Sequence, residues 1–277
     1  MSPAEVVRRA AGYLDRHGVE SPAPTAELLL QSVLGTDRAG LYARREGLSA
    51  AEAKLFGRAL CRRCVGTPTQ HITGEQGFRR LILSVRAGVF VPRPETEVVV
   101  EVALGALDRV AEPVVVDVCT GTGAIALALK DECPAARVLA SDLSPDAVAL
   151  ARENAHRLGL DVDVRLGDLL DPFPLELRGS IDLVVANPPY VALEDAATLP
   201  ADVRADPPLA LFGDVPLYGR SFAQAALWLR PGGVVVVEIG DMMGAEVTAA
   251  AEDAGFLDVR TLPDLAGRDR VVTGQRP

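Results

Sequence analysis

The sequence predicts an α/β fold, a doubly wound, mostly parallel sheet preceded by a small helical N-terminal domain. Short, almost continuous Val/Ile/Leu runs recur after residue 113, as strands buried on both faces of a parallel sheet require. Helical patterns separate most of these runs, which is the alternation that builds such a sheet. The first 65 residues, in contrast, carry helical spacing throughout. A chain of 277 residues with 49% hydrophobic and 24% charged residues has material for two cores and no compositional case for disorder.

Taken in order, residues 4–65 place apolar side chains at helical intervals, as at Ala26, Leu29, Leu30, Val33 and Leu34. Breaks fall at Gly18, Pro22–Pro24 and Gly35–Gly40, so a small helical bundle is expected. The β-formers from Phe78 to Arg86, a turn at Ala87-Gly88 and the run Val89-Phe90-Val91 predict a hairpin. Pro92 and Pro94 follow, and a helical pattern resumes over Glu95–Leu107. The expected division is a helical domain over 1–74, a linking hairpin over 75–92 and an α/β domain over 93–277. Strands are expected at Val114–Val118, Arg137–Ser141, Val162–Leu166, Ile181–Ala186 and Val234–Ile239. The helix after Ser144 has Pro145 in its first turn and Gly159 as its stop.

The net charge of −10 argues against wholesale nucleic-acid binding, which relies on Lys and Arg contacts to phosphate. That charge is uneven, with residues 1–93 at +6 and residues 94–277 at −16. Two solvated faces explain the difference, and so does a basic half that docks on an acidic partner. No segment has the uninterrupted apolar length of a membrane span, so a soluble cytoplasmic protein is expected. Cys61 and Cys64 form the one close cysteine pair, without a second pair or a nearby His to complete a zinc site. No metal is expected.

Three acidic or glycine-rich positions and one tetrapeptide carry chemistry. Asp117-Val-Cys-Thr-Gly-Thr-Gly123 lies between a strand and an apolar helix, where Gly121 and Gly123 permit a tight turn and close approach of a ligand to backbone. Asp142 ends the next strand, 19 residues beyond Gly123, where a carboxylate can accept from both hydroxyls of a ribose. It could equally cap the following helix, a role for which Ser144 competes. Asp168, after the third strand, could reach an adenine amino group or serve as an ordinary turn carboxylate. Asn187-Pro188-Pro189-Tyr190 follows the strand Ile181–Ala186, outside the carboxyl end of the sheet where ligands of such sheets bind. The Asn187 side-chain carbonyl and the Pro188 backbone carbonyl can each accept one hydrogen of a planar –NH2 group, with the flat face of Tyr190 beside it.

This ordered set resembles the class I amino-methyltransferases. The segments Gln70-His-Ile-Thr-Gly-Glu75, Val91-Pro-Arg-Pro-Glu-Thr-Glu97 and Asp264-Leu-Ala-Gly-Arg-Asp-Arg270 are similar to the release factor glutamine methyltransferase family, a match that spans nearly the whole chain. The resemblance implies a class I methyltransferase fold with a seven-stranded sheet, S-adenosylmethionine as cofactor, and methylation of the glutamine in a Gly-Gly-Gln loop of peptide chain release factors. It further implies cofactor contacts from Cys119, Thr120, Gly121, Thr122, Gly123, Asp142, Leu143, Asp168, Leu169 and Asn187. Asn187, Pro188, Pro189 and Tyr190 would hold the glutamine amide, with Asn187, Pro188 and Tyr190 catalytic, Arg93 on the substrate side, and Arg93 and Glu97 enclosing the site. The expected partner is a release factor bound by a monomer, with neither membrane nor nucleic acid.

Cys119 stands where the family commonly has Gly, which is tolerable if its backbone angles are ordinary. Leu169 replaces larger aromatic residues, and residues 205–218 are shorter and poorer in glycine than the family's pattern. Adenine-N6 methylation of DNA or RNA is the alternative activity, since a flipped base offers the same planar –NH2 group. A non-catalytic S-adenosylmethionine-binding protein is the alternative of another class.

Overall fold

The computed structural model describes residues 1–199 and 203–277. The chain forms two compact units, Met1–Glu75 grouped with the stretch that ends at Ala205, and Gln76–Leu199 together with Asp206–Pro277.

The smaller unit is helical: α1 (Pro3–Arg16), α2 (Pro22–Leu34), α3 (Arg38–Ala43), α4 (Ala50–Cys64) and the short α5 (Thr69–Thr73). Local chemistry sets the ends. Ser2 caps α1 by accepting from the Glu5 N–H, Gly35 closes α2 in the left-handed conformation, and Ser49 and Glu52 form a reciprocal capping box on α4. Val7, Ala10 and Leu14 of α1 meet Ala26, Leu29 and Leu30 of α2 with Leu41 and Phe56 in one apolar core. Spacings of three and four keep each set on one helix face.

The larger unit opens with a two-stranded hairpin, β1 (Glu75–Phe78) and β2 (Leu81–Ser84), then α6 (Glu97–Leu107). There follow β3 (Val114–Val118), α7 (Ala124–Glu132), β4 (Arg137–Asp142), α8 (Pro145–Leu158), β5 (Val162–Leu166) and β6 (Ile181–Ala186). The chain ends with α9 (Pro208–Leu211), α10 (Val215–Trp228), β7 (Leu229–Glu238), α11 (Gly244–Asp253), β8 (Leu257–Pro263) and β9 (Asp269–Gln275). The seven strands after the hairpin form one sheet in the order β5-β4-β3-β6-β7-β9-β8, parallel from β5 to β7 and antiparallel at β9 and β8.

Strand alternation divides the core between the two faces. Val115 of β3 and Leu183 and Val185 of β6 pack with α6 and α7 on one side, while Val116, Val118, Val184 and Ala186 pack with α10 and α11 on the other. From β3 the chain moves outward through β4 to β5, then returns to lay β6 on the opposite flank of β3. The switch point of the topology, where ligands of such sheets bind, therefore lies outside the carboxyl ends of β3 and β6.

The hairpin does not turn where the sequence pattern placed it. It reverses at Arg79-Arg80, with Arg79 in the left-handed region at φ 50°, and Val89–Val91 is not a strand. Arg79 is held there by its own contacts: its N–H donates to Glu97 Oε1 at 2.9 Å, and its guanidinium pairs with Glu132 and with Glu101 at 3.1 Å. Pro92 offers no N–H to a ladder, and the Val91 N–H is spent on Asp206 Oδ1 at 3.2 Å, so the second run has no strand to join.

Candidate active site

Four parallel strands end around this switch point, and each contributes a loop. The turn after β3 is built around Asp117, a fully buried carboxylate whose Oδ2 accepts from the Thr120 hydroxyl at 2.5 Å and the Ala126 N–H at 3.1 Å. Burial pushes its pKa up to about 7 against those two donors, with the Asp142 charge adding to the rise. Gly123, at φ 84°, is in a conformation that strains any other residue, and a Cβ there would crowd Leu127 Cδ1 at 3.0 Å and Ala151 Cβ at 3.3 Å. Gly121, at φ 56°, faces open space, and its N–H donates to Asp142 Oδ2 at 2.8 Å.

Asp142 thus ties the ends of β3 and β4 together. Its Oδ1 accepts from the Ser144 N–H at 2.8 Å, while the Ser144 hydroxyl takes over the capping of α8. Burial raises the Asp142 pKa, and the backbone N–H groups of Ser144, Gly121 and Leu143 oppose the rise. Leu143 turns its side chain outward at 54% exposure, an apolar surface beside a carboxylate. The Thr122 hydroxyl is buried without a hydrogen-bond partner among the described residues. Asp168 is drawn into an exposed ion pair with Arg220 at 3.0 Å, and Leu169, at φ 47°, is buried with its carbonyl accepting from Ser141 Oγ at 2.6 Å.

Cys119 is where sequence reasoning fails. It is in the left-handed region at φ 60°, so the ordinary backbone angles on which its tolerance depended are absent. Burial, then the charges of Asp142, Asp117 and Asp168, push its thiol pKa up and keep it neutral. The left-handed region costs a non-glycine residue about 1–2 kcal/mol, more than the extra chain entropy of about 0.5–1 kcal/mol that glycine loses on folding. Cys119→Gly is expected to raise stability by about 0.5–1 kcal/mol and the β-branched Cys119→Val to lower it, measured by urea denaturation.

The loop after β6 carries Asn187–Tyr190. Asn187 Nδ2 donates to Thr96 Oγ1 at 3.2 Å, and Asn187 Oδ1 accepts from none of the described residues. Tyr190 donates to Glu238 Oε1 at 3.4 Å, at the end of β7. Pro188 is buried and Pro189 half-buried. The segment before α10 braces this loop: Val191 N–H donates to the Leu211 carbonyl at 2.9 Å and Gly213 N–H to the Val191 carbonyl at 3.2 Å. A Cβ on Gly213 would lie 1.9 Å from the Pro189 carbonyl oxygen, so the loop and its clamp cannot both stay in place. Gly213→Ala is expected to lower kcat/KM about tenfold with cofactor affinity retained, checked by steady-state kinetics beside calorimetry.

Arg93 lies beside this region but is bound to its own unit. Its Nη2 donates to the fully buried Asp206 Oδ2 at 2.6 Å and its guanidinium sits 5.4 Å from the Phe90 ring centroid. Glu97 is taken up by the hairpin turn described above. Sequence reasoning missed Thr96, Asp206 and Glu238, three buried polar residues that organise the region. Glu238 could have been noticed as the one carboxylate in the valine-rich strand Val234–Ile239. The Asp264–Arg270 segment forms the β8–β9 turn, from which Arg270 donates to the Ile239 carbonyl at 3.1 Å and to Asp264 Oδ2 at 3.4 Å.

Comparisons with known proteins bear on the family and the fold. Residues 5–74 match the family model described as PrmC N-terminal domain, and residues 81–201 match that described as Methyltransferase small domain. The release factor glutamine methyltransferase of Moorella thermoacetica is 44% identical over 98% of this chain and 96% of its own length. The enzyme of the same name from Deinococcus radiodurans is 41% identical over 100% and 99%. Among solved structures, the T. thermophilus 16S rRNA N2 G1207 methyltransferase, in complex with AdoMet and guanosine, superposes with a TM-score of 0.55 at 19% identity. It covers 73% of this chain and 50% of that one, a likeness of fold alone. The seven-stranded sheet is that of a class I methyltransferase, and by full-length identity above 40% the chain belongs to the release factor glutamine methyltransferase family.

Proposed function

We propose that this protein transfers a methyl group from S-adenosylmethionine to the side-chain amide nitrogen (N5) of the glutamine in the Gly-Gly-Gln motif of peptide chain release factors. The observation that carries this reading is Asn187, which donates its Nδ2 to Thr96 and leaves Oδ1 free to accept one hydrogen of a planar amino group. The full-length relatives bearing the release factor name support the substrate.

The residues after β3 and β4 fit an adenosine-bearing cofactor. Gly121 leaves open space over the turn, Thr122 has a buried hydroxyl in need of a partner, Asp142 keeps spare lone pairs on both oxygens, and Leu143 offers an apolar face. Thr120, Gly123 and Cys119 shape the same turn, and Asp168 and Leu169 border it. When bound, S-adenosylmethionine supplies a methyl group on a sulfonium, open to in-line displacement.

An amide nitrogen is a poor nucleophile because its lone pair is delocalised into the carbonyl. Asn187 Oδ1 and the Pro188 carbonyl each take one of its hydrogens, which orients the nitrogen and favours the positive charge developing on it. Pro188 and Pro189 stiffen the loop, so little order is lost on binding, and Tyr190 lays a flat face against the amide. The nitrogen gains the methyl and gives up one proton to water, so no dedicated general base is required. The enzyme acts as a monomer in the cytoplasm, where translation terminates, and the charge of −16 over residues 94–277 disfavours a nucleic-acid substrate.

The test is intact-peptide mass spectrometry of a purified release factor domain after incubation with this protein and S-adenosylmethionine, with an adenine-containing oligonucleotide in parallel. One methyl mapped to the Gly-Gly-Gln glutamine is the expected result. A methyl on the oligonucleotide alone would move the protein to the adenine enzymes.

A further inference from the structure

A turn that contains two glycines does not fix its own shape. Gly121 and Gly123 have φ of 56° and 84°, and glycine adopts either sign of φ with equal ease, so contacts from outside must set the peptide that joins Thr122 to Gly123. The N–H of that peptide is spent within the turn, donating to the Thr120 carbonyl at 2.9 Å. Its carbonyl, on Thr122, is held from α8 by Asn154.

Asn154 is fully buried, and both ends of its amide are engaged. Its Nδ2 gives one hydrogen to the Thr122 carbonyl at 3.0 Å and the other to the Ser84 carbonyl at 3.1 Å. Its Oδ1 accepts from the Ser84 N–H at 2.8 Å and from Arg157 Nη2 at 3.4 Å. These partners leave the amide one orientation, since flipped it would set –NH2 against the Ser84 N–H and an oxygen against two carbonyls. Toward Ser84 it engages both backbone groups, as a neighbouring strand would, at the end of β2. The absence of a side chain at Gly123 lets α8 come close enough for this. Ala151, three residues before Asn154 and on the same helix face, would lie 3.3 Å from a Cβ there. An apolar residue in place of Asn154 would leave the Ser84 N–H and two carbonyls without these bonds.

We propose that Asn154 is a positioning residue for S-adenosylmethionine, which sets the turn after β3 by holding the Thr122 carbonyl and couples that turn to the β1–β2 hairpin by pairing with Ser84. This rests on the cofactor placement proposed above. Thr122 is the residue through which Asn154 acts. Its hydroxyl is buried without a hydrogen-bond partner among the described residues, and the residue before it, Gly121, gives its N–H to Asp142. Once the Thr122 carbonyl is released, the peptide beside Gly123 is free to turn, and that hydroxyl and the Gly121–Asp142 contact lose their common frame. The coupling runs both ways: a cofactor that orders the turn also secures Asn154, and through it Ser84. The chemical step is left alone, because no hydrogen bond joins Asn154 to Asn187–Tyr190 among the described residues.

The experiment pairs calorimetry and kinetics on variants with hydrogen exchange on the wild type. Asn154→Ala is expected to weaken S-adenosylmethionine binding about tenfold and to raise the cofactor KM in step. Its kcat at saturating cofactor is expected to stay within about twofold of wild type. Arg157→Ala removes the other side-chain contact to Asn154 Oδ1 but keeps the bond to Thr122, and is expected to cost cofactor affinity no more than about twofold. In the wild type, saturating S-adenosylmethionine is expected to slow exchange of the Ser84 N–H, read by NMR, at least about tenfold more than exchange in the edge strand β8. That comparison needs no variant, so it decides the matter even if Asn154→Ala does not fold. Wild-type cofactor affinity in Asn154→Ala, an equal loss in Arg157→Ala, or a Ser84 N–H slowed no more than β8 would each overturn the proposal. Unchanged affinity in Asp142→Ala would instead remove the cofactor placement itself, whereas unchanged affinity in Asn154→Ala alone removes only the positioning role.

Discussion

Asn187→Ala is expected to lower kcat/KM for methyl transfer by about a thousandfold while leaving the dissociation constant of S-adenosylmethionine within a few-fold of wild type. The size follows from what is lost. On the proposed mechanism the alanine variant removes one of two acceptors that orient the nitrogen and favour its developing charge, and it leaves the Thr96 hydroxyl facing an empty position. Because no hydrogen bond joins Asn187 to the Asp142 carboxylate or to the turn after β3 among the described residues, cofactor affinity is the control. Titration calorimetry beside single-turnover kinetics makes the separation. A parallel loss of cofactor affinity would show that Asn187 holds the cofactor and not the substrate.

Asp142→Ala is expected to show the converse, a loss of cofactor affinity of about 100-fold or more before any effect on the chemical step. A carboxylate that accepts from both ribose hydroxyls makes two charge-assisted hydrogen bonds, each worth about 1.5–3 kcal/mol. The substitution also orphans the N–H groups of Gly121 and Ser144, which now share that carboxylate. A modest fall in thermal stability is expected to accompany it. Asp142→Asn, which keeps one acceptor oxygen, should fall between wild type and alanine. An unchanged dissociation constant in the alanine variant would remove Asp142 from the cofactor site and leave it as a brace between β3 and β4.

Much of this was legible in the sequence because it is written in continuous segments. Val114–Val118 and Ile181–Ala186 are strands with the bounds their apolar runs suggest, since strands buried on both faces leave no polar alternation to blur them, and Val162–Leu166 keeps its expected bounds as a half-exposed edge strand. The helix from Pro145 carries its own start and stop in Ser144 and Gly159. By contrast, β8 was not visible in the residues alone. It is a half-exposed edge strand with Asp258 and Arg260 in its run, so no apolar period marks it. The hairpin was misplaced because its turn is imposed by Glu97, Glu101 and Glu132, residues far along the chain that capture Arg79. The same distance hid Thr96 and Glu238. Thr96 is unremarkable in its own segment and Glu238 stands out there only as a carboxylate among valines, and only the fold brings them to Asn187 and Tyr190.

The contacts that pin the site also fix when it can exist. Thr96 meets Asn187 across 91 residues, and Asp206 holds Val91 and Arg93 across 115 and 113. Each such contact closes a long loop, whose entropy is lost before the contact returns anything, so these bonds are expected to form late in folding. A chain with β3, β4 and their helices in place but β6 and β7 unpaired would have Gly121 and Asp142 near one another and no amide pocket. The proposed cofactor turn and the proposed amide pocket are therefore expected to mature at different points of folding. A ligand for the later-formed pocket selects molecules whose whole sheet has closed.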